Sequence, residues 1–178
     1  NPKSGYVIAA NNRPHSDEYP YDLGSLWIPG YRAMRIEEIL TQHSPIPLDA
    51  SRRAQADLTS TSVVQLQSLL RNVTPNDPDI RAVFDELISW DGVVSSDSRP
   101  ALIFEALRRT LLRRLIEPSV PGDLLPYLMG EGPHPLLASE TEYVSHDTTL
   151  IARFLADPPI TDEVWLENVG GRTAVVEE

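Results

Sequence analysis

Two carboxamides, Asn11 and Asn12, stand side by side directly after the apolar run Tyr6–Ala10. A carboxamide at the end of an extended segment can serve in two ways. It can shape a turn, because asparagine tolerates left-handed backbone and bonds its own main chain. It can also hold an N–H towards an atom on which negative charge develops during a reaction. Spacing alone favours the turn. Two cations, Arg32 and Arg35, lie three apart and so share a face of any helix that carries them, where a solvated or salt-bridged role is the default. Asp22, between Tyr21 and Leu23, is either a turn residue or one ligand of a hard cation.

The remaining candidates carry less. Ser145-His146-Asp147 contains the residue types of a hydrolytic triad, but such groups converge in space rather than in sequence. The stretch VSHDTT reads instead as a helix start capped by Ser145 or Asp147. The four histidines, His15, His43, His134 and His146, show no HxxxH or HxH spacing, which argues against a zinc site. In RRTLLRR (Arg108–Arg114) the leucines imply an amphipathic helix whose arginines stay solvated and pair with nearby acids. The triplet Asn72-Val73-Thr74 matches a glycosylation acceptor, a pattern common by chance.

The elements that must position these groups are mostly helical. Tyr6–Ala10 reads as a short buried strand, and residues 15–30 as an irregular loop with aromatic anchors. Tyr31, Met34, Ile36, Ile39 and Leu40 give a rough helical stripe over Tyr31–Gln42, which the prolines of SPIP terminate. A second helix is expected from an Asp49 cap to about Leu58, and a third over about Thr61–Asn72. Asp77 and Pro78 form a start signal for a fourth, whose stripe is Ile80, Val83, Phe84, Leu87 and Ile88, ending at Trp90-Asp91-Gly92. The longest helix is expected over about Arg99–Glu117, capped by Ser98. Its apolar residues Leu102, Ile103, Ala106, Leu107, Leu111, Leu112, Leu115 and Ile116 make it the spine of the core. Shorter helices follow at Asp123–Met129, Ser145–Ala156 and Thr161–Asn168. The fold class is mainly α, with a β lead-in that needs a partner sheet to satisfy its backbone. Residues 1–30 form the lead-in and 31–178 the helical domain, with the core expected from the helices between about Tyr31 and Glu117.

Composition narrows the function. The 178 residues suffice for one domain and a sizeable core. A formal charge of −11 argues against nucleic acid or an anionic membrane surface as partner. The absence of cysteine excludes disulfides, thiol catalysis and cysteine metal sites. The longest apolar runs fall far short of a membrane span. Asn1 at the start, and the helix-like GGRTAVVEE at the end, suggest an internal piece of a longer protein.

Read together, NPKSGYVIAANNRP, YPYDLGSLW and YRAMRIEEIL resemble the β-chain of the penicillin acylases, N-terminal nucleophile hydrolases of the penicillin amidase family. The resemblance is dense over Asn1–Leu40, patchy over Asp49–Glu117 and faint beyond Pro118. In that family a β-chain N-terminal serine attacks an amide carbonyl, with its own α-amine as base. A backbone N–H and an asparagine side chain form the oxyanion hole. The resemblance implies that Asn11 is this asparagine and that Arg35, rather than Arg32, is the active-site arginine that steadies it. It implies that Asp22 matches an aspartate that ligates calcium in some members. One carboxylate is far from the six to eight oxygens calcium takes.

The expected activity is hydrolysis of a linear amide between an acyl group and an amine, such as a β-lactam nucleus, with no cofactor needed for the chemistry and structural calcium possible in the parent. Asn1 carries no hydroxyl or thiol, so the chain alone is expected to be inactive. Its expected partners are the remainder of the acylase, α-chain and rest of the β-chain, and a small-molecule amide substrate, in a periplasmic or secreted parent. Two rivals remain: a helical interaction module that docks a partner through its leucine-rich face, and, within the family, an acylase for acyl-homoserine lactones or cephalosporin side chains.

Overall fold

The computed structural model describes residues 2–43, 45–131, 134, 136, 145–156, 163–171 and 174–175. Its helices follow in the order α1 (Tyr31–Gln42), α2 (Leu48–Gln55), α3 (Thr61–Leu70), α4 (Pro78–Ser89) and α5 (Arg99–Ile116), then α6 (Leu125–Leu128), α7 (Asp147–Leu155) and α8 (Glu163–Glu167). The molecule is mainly helical, as its periodicity predicts.

Local chemistry explains the sharpest boundaries. The Asp77 carboxylate accepts from the backbone N–H of Asp79 and Ile80 at 2.8 and 3.3 Å, and Pro78 fills the first helical position, where no donor is needed. The Ser98 hydroxyl oxygen accepts from Ala101 N–H and starts α5 in the same way. α5 ends at Ile116 and tightens into a 3₁₀ turn, Glu117–Ser119, around Pro118. α2 begins one residue before the expected cap, so Asp49 lies inside its first turn, where its carboxylate complements the helix dipole and bonds Arg53 at 2.7 Å. α7 starts at Asp147 behind an N-cap His146 that makes no side-chain capping bond, so neither Ser145 nor Asp147 is the cap. Of the expected Thr161–Asn168 helix, residues 161 and 162 lie outside the described residues.

α3, α4, α5 and α7 enclose the core. Val63, Leu66 and Leu70 of α3 meet Leu87 of α4, Phe104, Leu111, Leu112 and Leu115 of α5, and Ile151, Phe154 and Leu155 of α7. The core therefore extends past Glu117. α7 is central to it, and Ile151 is completely buried. The buried face of α5 runs through Ala101, Phe104, Leu111 and Leu115, while Leu102 is 72% exposed. Buried Gln67 spans two elements. Its Nε2 donates to the carbonyls of Leu87 and Trp90, both at 2.8 Å, and so satisfies the end of α4 from within α3. The next residues turn away at Gly92, whose φ of +79° brings its carbonyl onto Ser60 N–H at 2.9 Å.

Two further expectations fail. Among the described residues Tyr6–Ala10 joins no strand ladder. Exposure alternates along it, down to buried Ala10, but Val7 is 81% exposed, so this is not a buried strand. Extended backbone becomes a strand only when a neighbour takes its N–H and C=O groups, and here pairing is limited to isolated bridges, one of them between Asn12 and Ile28. α1, despite its apolar stripe, contributes no buried residue, and Met34 is 59% exposed.

Candidate functional site

The chain returns to Asn11 from the far end of the aromatic loop. Ile28 N–H donates to the Asn11 carbonyl at 3.0 Å, and the Asn12–Ile28 bridge runs alongside. Within the loop, Asp22 Oδ1 accepts from Gly24 N–H at 2.8 Å and Trp27 Nε1–H donates to the Gly24 carbonyl at 2.9 Å. Asp22 thus closes a turn. Among the described residues no three histidine or acidic side chains gather at a common point.

The loop delivers Ile28 beside Asn11, and α1 starts three residues later. That places Arg32, in the first turn of α1, against the amide. One nitrogen of its guanidinium, Nη2, donates to the Asn11 Oδ1 at 2.7 Å and to the Ala10 carbonyl at 2.9 Å. A guanidinium has donors only, so the carboxamide must turn its oxygen towards Arg32 and its nitrogen away. Asn11 Nδ2 then has no partner among the described residues. Asn11 itself sits at φ +59°, the one positive-φ residue other than glycine among those described. Asn11 therefore has the left-handed backbone of a turn former, with its side-chain oxygen held by Arg32. The neighbouring Asn12 donates from Nδ2 to the carbonyl of Arg13 at 3.2 Å.

Arg35 stands elsewhere. Its Nε and Nη2 donate to the two carboxylate oxygens of Asp57 at 2.8 and 2.9 Å, and Nη1 donates to Glu38 at 2.7 Å. The expected contact from Arg35 to Asn11 is thus made by Arg32. The two arginines share a helix, but Arg32 lies in the turn nearest Ile28 and Arg35 faces the α2–α3 connection. Asp57 also accepts from Thr59 Oγ1–H at 3.0 Å. The bonds that Arg35 donates hold the Asp57 carboxyl below the usual range, and acceptance by Asp57 and Glu38 pushes the guanidinium further up. Sequence reasoning missed Asp57 and Thr59, because nothing in their spacing marks a partner 22 residues away. A cleft of about 480 Å³ lies between α1 and residues 57–62, with Arg32, Arg35, Asp57 and Thr59 in its lining.

The other candidates do not converge. Ser145 and His146 are exposed, whereas Asp147 is buried and ion-paired to Arg108, whose side chain is 12% exposed. Arg108, which also bonds Glu105, is therefore not a solvated arginine. Arg113 does pair at the surface, with Glu117 at 3.7 Å.

Arg32 makes no ion pair among the described residues, so its charge acts on the Asn11 amide with neutral acceptors only. A cation on the amide oxygen withdraws electrons from the amide nitrogen and strengthens the outward N–H as a donor. Such a group suits stabilisation of a developing oxyanion.

A family model described as penicillin amidase matches residues 1–176. Penicillin acylase 2 proenzyme from Pseudomonas sp. (strain SE83) is 32% identical over 113 residues, which is 63% of this chain and 15% of that protein. No solved structure matches the chain.

Proposed function

Because the chain belongs to the penicillin amidase family, we propose that it forms the oxyanion-binding part of an amidohydrolase that cleaves a linear amide between an acyl group and an amine such as a β-lactam nucleus. Attack on the amide carbon turns the carbonyl oxygen into an oxyanion. Asn11 Nδ2–H donates to that oxygen, and Arg32 holds the amide in the orientation that makes this possible. The nucleophile, an N-terminal serine in this reading, comes from the remainder of the protein, since the matched segment corresponds to only 15% of the Pseudomonas relative. The observation that carries the proposal is the Arg32–Asn11 clamp, which fixes the carboxamide by its oxygen and leaves its nitrogen unpaired among the described residues.

The test is Asn11→Asp in the whole enzyme, assayed on a chromogenic phenylacetyl amide. Aspartate keeps the left-handed backbone and the oxygen facing Arg32 but has no N–H to give. The donor is used only along the reaction path, so kcat should fall on the order of a few hundredfold with KM nearly unchanged. A kcat within about threefold of the parent would remove Asn11 from the oxyanion site.

A further inference from the structure

α1 carries the arginine that sets Asn11, yet none of its side chains is fully buried. A helix seated by packing has its angle fixed by the core, but the apolar residues of α1 are at most partly buried, so polar contacts carry more of its placement. At its start, the Tyr31 carbonyl accepts from Thr61 Oγ1–H at 2.9 Å, and the Tyr31 hydroxyl meets Gln65 of α3 and Thr149 of α7. One turn further on, the cleft separates α1 from residues 57–62. There the connection is the two-pronged pair between Arg35 and Asp57, with side chains 24% and 20% exposed, and Thr59 braces the same carboxylate. Two parallel N–H···O bonds constrain direction as well as distance. The pair thus sets both the roll and the tilt of the turn from which Arg32 projects.

We propose that Arg35 and Asp57 are positioning residues that aim Arg32 at Asn11, with Thr59 as their brace. The inference rests on the oxyanion reading above. Neither residue touches Asn11; both act through Arg32. Loss of the pair lets α1 roll, the Arg32 guanidinium leaves the amide oxygen, and the carboxamide then turns freely.

The experiment is a set of variants of the whole enzyme: Arg32→Ala, Asp57→Asn, and the two together, with kcat and KM measured for each. Asp57→Asn should lower kcat about tenfold, below the ~10²-fold that a 1 Å misplacement costs, with KM changed less than twofold. In the Arg32→Ala background the same substitution should cost nothing more, because nothing is left to aim. Arg35→Lys, which keeps the charge but gives up the fork, should reproduce the kcat loss in smaller measure and serves if Asp57→Asn does not fold. An unchanged kcat in both Asp57→Asn and Arg35→Lys overturns the inference. So does an equal loss with and without Arg32, which marks a merely structural pair. Those results differ from failure of the underlying reading, in which Asn11→Asp itself leaves kcat intact and the inference falls with it.

Discussion

Arg108 of α5 and Asp147 of α7 form an ion pair withdrawn from solvent, with side chains 12% and 6% exposed. Asp147 also accepts from the N–H and hydroxyl of Thr148, so its lone pairs are well used. Desolvated charges offset their cost only when both are present and well bonded. The pair fastens the two helices that supply much of the core.

Asp147→Ala should therefore destabilise the protein by about 3 kcal/mol, because it leaves the Arg108 charge in a nearly closed site with only Glu105 to answer it. Urea unfolding of parent and variant would show this. Replacing both residues with leucine should cost much less than the single change.

At Asn11 the two roles can be separated by the choice of substitution. Asn11→Gly tolerates φ +59° and should leave stability within about 0.5 kcal/mol. Asn11→Ala forces a Cβ into left-handed backbone and should cost about 1 kcal/mol. Both remove the carboxamide, so both should lower kcat in the whole enzyme by the same few-hundredfold order. Asn12→Ala should change kcat little. Thermal melts beside steady-state kinetics decide the matter, and unequal kcat losses for the glycine and alanine variants would argue that strain, not donation, is being measured.

The Asp57 carboxyl is held low by the bonds from Arg35. A depressed folded-state pKa gives stability that is present in full above the unfolded value, about 4, and is lost as pH falls through the folded value. The stability difference between the parent and Asp57→Asn should thus be constant above about pH 5 and shrink below about pH 4. Urea midpoints taken between those limits would reveal it. A difference that grows on acidification would contradict the pairing.

Leu115 of α5 is completely buried, whereas Leu102, on the same helix and in the same apparent stripe, is 72% exposed. Leu115→Ala should cost about 2–5 kcal/mol and Leu102→Ala less than about 0.5 kcal/mol in chemical denaturation.

These contrasts show what the residues announce and what they withhold. The start of α4 is legible because Asp77 and Pro78 act within their own turn, and the limits of α1 because prolines stop it. Leu102 and Leu115 look alike in sequence because periodicity reports one face of a helix, not how far along that face a neighbour reaches. Tyr6–Ala10 reads as a strand from its side chains, but a strand also needs another chain segment for its backbone. In the site, the turn-forming character of Asn11 is legible in the sequence. The choice between Arg32 and Arg35 is not, since both point from one face and only the fold shows that Ile28 comes back beside the first and Asp57 beside the second.

A helix without a fully buried residue has less to lose by detaching than one in the core. The cost of opening a segment is set by the apolar area it re-exposes and the bonds it breaks. For α1 the first is smaller than for the core helices, so its amides should exchange with solvent deuterium through openings well short of global unfolding, while those of α3, α5 and α7 wait for the whole core to come apart. Arg32 therefore rides on one of the more labile parts of the molecule.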